Sequence, residues 1–139
     1  VIYLPTKKEI FYTLNNSSYS SKINAKNQYL QKKKIKIKVI KKLENRVLLL
    51  SRSHARNIEL SKKHFRTTKA KFSGSSIKFC LIANGIGNIY PRLGPTMEWD
   101  TAAGHAILNA AGGSVKTLDR RVLRYGKKGF KNPSFIARS

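Results

Sequence analysis

The sequence predicts an α/β fold, in which helices cover a sheet of buried strands. Residues 46–50 (RVLLL) contain a continuous apolar run of strand length, which is typical of a strand buried on both faces. Predicted strands and helices alternate from residue 46 onward. The clearest predicted helix covers residues 99–111 and repeats apolar residues at the i, i+3, i+4, i+7 spacing. These positions are Trp99, Ala102, Ala103, Ala106, Ile107, Ala110 and Ala111.

The first part of the chain has the pattern of antiparallel strands. Residues 1–14 alternate as strands do, residues 15–18 (NNSS) predict a turn, and residues 19–23 predict the returning strand of a hairpin. Lysine then alternates with Ile or Val over residues 34–39. This pattern predicts an edge strand, or a strand with one buried face, whose lysines point outward and hinder edge-to-edge pairing.

Shorter elements are predicted between and after the two strongest signals. A glycine pair, Gly112 and Gly113, ends the helix at 99–111 as a C-cap does. The other predicted elements are a helix at about 56–64, a strand at 67–72, a helix at 77–84, a strand at 88–90, and closing strands at Val115 and 134–137.

The charge is strongly basic, with 29 Lys and Arg against 6 Asp and Glu and a formal net charge of +23. Such a balance fits a nucleic-acid binder or a site for small polyanions. Much of the charge lies between Lys26 and Lys42, however, where a solvated strand face is the favoured interpretation. We find no basic patch interleaved with aromatic residues and no zinc-ligand pattern, so the sequence gives nucleic-acid binding little support.

Other bulk features bear on the cellular location. No stretch approaches the roughly 18 apolar residues of a membrane span. The single cysteine, Cys80, cannot form an internal disulfide, which suits a reducing compartment. We therefore expect a cytoplasmic protein, and so basic a surface also allows peripheral contact with the inner membrane. The chain begins at Val1 within predicted structure, so we expect it to be a fragment.

Three segments carry polar residues where an α/β sheet binds ligands, at strand ends and helix starts. The first two are residues 51–54 and 74–78. His54 follows the buried strand, and it either donates to a phosphate or is an ordinary surface histidine. Residues 74–76 (GSS) open a helix, so their N–H groups and hydroxyls either bind an anion or form an ordinary N-cap. Lys78 lies in the first turn, where the helix dipole disfavours a cation, and this indicates an anion nearby.

A third segment covers residues 92–104. Asp100 lies in the first turn of the predicted helix, where the dipole favours a carboxylate, and a carboxylate is a ligand for hard cations. The alternative is that Asp100 only caps the helix. The small residues 102–104 allow another element to approach this turn closely.

These motifs resemble a known family. Residues 99–104 (WDTAAG), with residues 111–113 (AGG) closing the helix, resemble the second signature of the inositol-monophosphatase-like superfamily. The flanking segments resemble its bacterial 3'(2'),5'-bisphosphate nucleotidase branch. These segments are 51–54, 74–80, 90–96 and 132–135.

The resemblance implies a fold and an activity. The chain would form the C-terminal portion of an α-β-α-β-α layered sandwich, with residues 1–45 as strands of the larger, incomplete N-terminal sheet and residues 46–139 as a C-terminal α/β domain. The activity would be Mg²⁺-dependent removal of the 3'-phosphate of adenosine 3',5'-bisphosphate, giving AMP, with a role in sulfur assimilation. Asp100 would bind the metal. The residues implied to bind the substrate are His54, Ser75, Lys78, Arg92 and Asp100.

The sequence also departs from the family. It contains no Asp-Pro-x-Asp-Gly-Thr segment, which supplies metal ligands in the family. We therefore expect no catalytic residue within these 139 residues, and an isolated chain that is inactive and needs its N-terminal half. The expected partner is a small nucleotide bisphosphate, and no nucleic acid is required.

Two rival functions remain. By the same resemblance, an inositol monophosphatase would carry an acidic residue that contacts inositol hydroxyls a few residues before the Trp-Asp pair. Residues 92–95 (RLGP), which form that stretch here, are basic and apolar, and this favours the nucleotidase. The rival of another class is a basic nucleic-acid-binding module. Its binding would weaken steeply with salt and would survive mutation of Asp100.

Overall fold

The computed structural model describes residues 1–24, 29–35, 45–51, 58–74 and 76–139. Residues 36–39 of the strand predicted at 34–39, the start of the helix predicted at about 56, His54 and Ser75 lie outside the described residues. The elements are β1 (Ile2–Leu4), β2 (Glu9–Leu14), β3 (Ser17–Ile23), β4 (Tyr29–Ile35), β5 (Val47–Leu50), α1 (Ile58–Phe65), β6 (Lys69–Phe72), α2 (Ile77–Ala83), β7 (Ile89–Arg92), β8 (Thr96–Met97), α3 (Glu98–Ala110), β9 (Ser114–Thr117), β10 (Lys131–Asn132) and β11 (Phe135–Arg138).

The strands β1 to β4 form an antiparallel sheet in sequence order. Asn15 and Asn16 have φ of 47° and 55° and make the turn between β2 and β3, in the left-handed conformation that asparagine tolerates. This confirms the predicted hairpin, although β3 starts at Ser17 and not at residue 19. The basic strand β4 lies at the end of this sheet among the described residues, and it begins at Tyr29, earlier than predicted.

A second sheet of the described residues has the strand order β6-β5-β7-β11-β9. The strand β5 pairs parallel with both β6 and β7, whereas β11 pairs antiparallel with β7 and β9. Leu48 and Leu49 of β5 are fully buried, as the apolar run predicted. Helices that alternate with the strands of this sheet confirm the predicted α/β class.

The core joins both sheets to the helices. Phe79 of α2 lies 5.4 Å from Tyr90 and 6.0 Å from Phe135, measured between ring centroids. Leu4 and Phe11 of the first sheet belong to the same buried cluster. No helix of the described residues is long and apolar enough to cross a membrane.

The predicted buried face of α3 was wrong in part. Trp99 is 67 % exposed, and Ala102 and Ala106 are exposed too, although Ile107 and Ala111 are buried as predicted. The buried residues of the helix are Glu98, Thr101, Gly104, His105, Ile107 and Leu108. Alanine has little apolar area to bury, so an alanine stripe does not decide which face of a helix turns inward.

Glycines fix the position of α3 in two ways. After the helix, Gly113 N–H donates to Leu108 O, and Gly112 N–H donates to Asn109 O with φ of +98° at Gly112, which confirms the predicted C-cap. Within the helix, Gly104 packs directly on Phe79, since a Cβ at Gly104 would lie 2.7 Å from Phe79 Cγ.

Replacing Gly104 with alanine should therefore destabilise the fold. The new methyl group would overlap the Phe79 ring, and overpacking of this kind costs about 1–3 kcal/mol. In an exposed helix the same change would stabilise by up to about 1 kcal/mol. Urea unfolding of the chain measures the difference. Gly74→Ala is the control, because within the described part of the chain its Cβ would meet only Ile77 Cδ1, at 3.9 Å. A Gly104→Ala protein as stable as the wild type would contradict this packing.

Candidate active site

The structure brings three of the predicted site residues to one edge of the second sheet. Lys78 lies at the start of α2, Arg92 ends β7, and Asp100 lies in the first turn of α3. All three interact with Tyr90. Lys78 Nζ lies 4.5 Å from the centre of the Tyr90 ring. Burial raises the pKa of Tyr90, the charge of Arg92 lowers it, and the charge of Asp100 raises it.

Lys78 is fully buried, and its ammonium group connects the ends of two strands. Nζ donates to Ser51 Oγ just after β5, at 3.1 Å, and to the carbonyl oxygens of Ser73 and Gly74 after β6, at 3.1 and 2.8 Å. Burial and, to a smaller extent, the nearby charge of Arg92 together lower the pKa of Lys78 to about 8. These acceptors match the three N–H donors of an ammonium group. Lys78 therefore brings positive charge to the site, with its donors directed at the protein.

Arg92 has an unused donor at this site. Its Nη2 donates to Pro95 O at 3.0 Å, which folds the side chain back over the loop before α3. Its Nε is buried and has no hydrogen-bond partner among the described residues. A buried N–H without an acceptor is unfavourable and calls for an explanation. An anionic ligand beside Arg92 would satisfy it.

Asp100 is exposed, and one of its oxygens also caps α3. Its Oδ2 accepts a hydrogen bond from Met97 N–H at 2.9 Å, as the capping alternative predicted. Its carbonyl oxygen accepts from Ser76 Oγ at 3.0 Å, which couples the starts of α2 and α3. The described residues contain no group of three or more His, Cys, Asp or Glu side chains that could hold a metal ion.

Sequence reasoning missed a polar cluster beneath this turn. Glu98, Lys127 and Asn132 are joined by hydrogen bonds, and Asn132 also reaches Thr101. Hydrogen bonds from Lys127, its side chain first, hold the pKa of Glu98 down to about 2 despite some desolvation. The sequence signal for this cluster was Glu98, directly before Trp99 and Asp100. Helical periodicity counts apolar residues and therefore gives no weight to a glutamate.

Known proteins are similar to this chain in sequence and in fold. The sequence pattern of the inositol monophosphatase family matches residues 1–138. An uncharacterized protein in the pss 5' region of Rhizobium leguminosarum is 59 % identical over 70 residues, which cover 46 % of this chain and 74 % of that protein. The 3'(2'),5'-bisphosphate nucleotidase CysQ of Buchnera aphidicola is 54 % identical over 72 residues, which cover 50 % of this chain and 27 % of that protein.

A solved structure matches over the whole chain. The crystal structure of CysQ from Bacteroides thetaiotaomicron superposes with a TM-score of 0.78 at 34 % identity, and the match covers 100 % of this chain and 56 % of that one. The chain thus spans about half the length of this structural relative.

Proposed function

The chain belongs to the inositol monophosphatase family, and from this membership we propose that it forms the substrate-binding half of a 3'(2'),5'-bisphosphate nucleotidase. The reaction is hydrolysis of adenosine 3',5'-bisphosphate to AMP and phosphate. The similarity to the CysQ proteins of Buchnera aphidicola and Bacteroides thetaiotaomicron supports this choice within the family. The proposed setting is cytoplasmic sulfur assimilation.

The observation that carries the proposal is a pair of cationic side chains, Lys78 and Arg92, near the carboxyl ends of the parallel strands β5, β6 and β7. Lys78 and Arg92 lie close enough that the charge of Arg92 lowers the pKa of Lys78. Like charges held together favour an anion between or beside them. Arg92 keeps a buried donor without an acceptor, and a guanidinium group is well suited to a phosphate. A substrate with two phosphates matches this excess of positive charge.

Asp100 fits one position in the coordination shell of a divalent cation. Its carboxylate is exposed at a helix N-terminus and offers oxygen, which Mg²⁺ prefers. The described residues contain no group of three or more such side chains, so they do not complete a shell by themselves. When bound, Mg²⁺ supplies charge neutralisation at the phosphate. The residues of this chain bind and orient the nucleotide: Arg92 donates to a phosphate, and His54 and Ser75, outside the described residues, are assigned to the same ligand.

The proposal also assigns groups of the reaction to protein beyond these 139 residues. Because it spans about half of a structural relative, we assign the other metal ligands and the water-activating group to a further segment of protein. Cys80 is not a candidate nucleophile for this reaction. It is buried, and burial raises the pKa of its thiol to about 12, so the thiolate form that reacts is scarce.

The test is a comparison of substrates. Phosphate release is measured with Mg²⁺ from adenosine 3',5'-bisphosphate and from inositol 1-phosphate, using these 139 residues with any adjoining sequence of the same gene. We expect kcat/KM for the nucleotide to exceed that for the inositol phosphate by at least about tenfold, because Arg92 and Lys78 provide charge for a second phosphate. We expect no release from the 139 residues alone.

Other outcomes would favour the alternatives. Preference for inositol 1-phosphate would indicate an inositol monophosphatase-type sugar phosphatase. Activity on neither compound, with RNA binding that weakens steeply as salt rises, would indicate the basic nucleic-acid-binding module that the net charge of +23 allows.

A further inference from the structure

Glu98 is an acidic side chain buried directly beside the candidate metal ligand. It is the first residue of α3 and is 7 % exposed. Its Oε2 accepts from Gly126 N–H at 2.8 Å, and its Oε1 accepts from the backbone N–H of Lys127 at 3.0 Å and from Lys127 Nζ at 2.5 Å. One carboxylate thus ties the start of α3 to a segment almost thirty residues further along the chain.

Lys127 and Asn132 extend this connection to the other side of the turn. Lys127 Nζ also donates to Asn132 Oδ1 at 3.1 Å. Asn132 is buried, and its Nδ2 donates to Met97 O at 2.9 Å and to Thr101 Oγ1 at 3.0 Å. Pairing of β10 with β8 places Asn132 opposite Thr96 and keeps it there. The turn at 97–101 is therefore held from within by side chains of two residues, 127 and 132.

The contacts converge on Met97, the residue whose backbone orients Asp100. Met97 N–H donates to Asp100 Oδ2, while the carbonyl of Met97 accepts from Asn132. Fixing Met97 on both sides fixes the direction of the Asp100 carboxylate, although Asp100 itself is exposed. Helix ends have backbone groups without intrahelical partners and fray when nothing holds them.

We propose that Glu98, Lys127 and Asn132 form a positioning clamp that sets the Asp100 carboxylate for phosphate hydrolysis, a role that rests on the proposed nucleotidase function. A buried ion pair is a poor way to gain stability, since apolar residues of similar size often serve as well or better. Its value lies in geometry. Groups that act on a substrate must be held within about 0.5 Å of the productive position.

The test is the variant Glu98→Gln in the active protein. It keeps the shape of the side chain but removes the charge that holds Lys127. We expect kcat on adenosine 3',5'-bisphosphate to fall about 10- to 100-fold while KM changes little, because the loss is in positioning and not in nucleotide affinity. Lys127→Met should behave in the same way, and Lys127→Arg should retain most of the activity. Glu59→Gln is the matched control, since Glu59 is an exposed acid paired with Lys62 on α1.

A second readout separates failure of the clamp from failure of the proposed function. Trp99 is the only tryptophan of the chain and lies between Glu98 and Asp100, so its fluorescence anisotropy reports the mobility of this turn. In the 139-residue chain we expect Glu98→Gln to lower the anisotropy and to speed amide exchange at Met97 and Gly126. Unchanged anisotropy and exchange, or an unchanged kcat in the active protein, would overturn the clamp. Absence of nucleotidase activity in the wild type would overturn the proposed function alone.

Discussion

Replacing Asp100 with asparagine should lower phosphate release from adenosine 3',5'-bisphosphate by at least about 100-fold. Loss of a group that only supports a metal ligand already costs about 10- to 100-fold, and Asp100 is proposed as a ligand itself. The variant keeps an amide oxygen but removes the negative charge with which a carboxylate attracts a hard cation. The amide oxygen of asparagine can still accept the hydrogen bond from Met97 N–H, so the cap of α3 should persist. Activity should therefore fall while the urea unfolding midpoint changes little.

The control for this variant is Asp119→Asn. Asp119 is exposed after β9, and its carboxylate accepts hydrogen bonds from the side chains of Thr117 and Arg121. Its replacement should leave activity unchanged. If Asp100→Asn kept full activity, Asp100 would be a helix cap and nothing more, and the proposed site would lose its metal ligand. If both variants lost activity together, the cause would be a general loss of negative charge from a chain of net charge +23.

Most of the secondary structure was predictable because its causes are local. The apolar run within residues 46–50 has the length and composition of a buried strand, and the structure places it in a sheet as β5. The Asn15-Asn16 pair favours a tight turn, and Gly112 allows the left-handed conformation that ends α3. The positions of these elements along the chain follow from residues within a few positions of each other in the sequence.

The inward face of α3 was not predictable, because it depends on distant partners. Gly104 faces inward since Phe79 occupies the space that a side chain would need. His105 is tolerated inside because its Nδ1 lies 2.9 Å from the hydroxyl oxygen of Tyr125, twenty residues away in the chain. Periodicity counts apolar residues and gives no weight to hydrogen bonds of this kind, so it favoured the alanine stripe.

The candidate site was predictable in position and less so in detail. Strand ends and helix starts identified Lys78 and Asp100, and the family resemblance added Arg92; all three interact with Tyr90 in the structure. Their roles stay predictions. The acceptors of the Lys78 ammonium group lie at residues 51, 73 and 74, and nothing in the local sequence shows that these meet. The polar cluster of Glu98, Lys127 and Asn132 was missed for the same reason.

Replacing Lys78 with methionine should change how stability depends on pH. Burial lowers the pKa of Lys78 to about 8 from its ordinary value of 10.5. Between these two values the unfolded chain keeps a proton that the folded chain has lost, so the unfolding free energy of the wild type rises with pH. The rise is up to about 1.4 kcal/mol per pH unit and about 3 kcal/mol over the window. Below pH 8 both states are protonated, and this contribution is flat.

The methionine variant lacks this titration. The unfolding free energy of the wild type minus that of Lys78→Met, measured with urea at several pH values, should therefore increase from about pH 8 to 10.5. Lys71→Met, at an exposed position on β6, is the control and should give no such increase. If the unfolding free energies of the wild type and of Lys78→Met rose equally with pH, the oxygens of Ser51, Ser73 and Gly74 would be holding the Lys78 proton in spite of burial.

The same window tests where the nucleotide lies. A bound anion beside Lys78 favours its charged form and raises its pKa. If adenosine 3',5'-bisphosphate binds next to Lys78 and Arg92, the rise in stability should therefore begin at a higher pH when the nucleotide is present. The shift requires only that the phosphates lie close by, since the ammonium donors are already directed at protein oxygens. A window that stays in place while the nucleotide is bound would put the phosphates away from Lys78 and leave their recognition to Arg92.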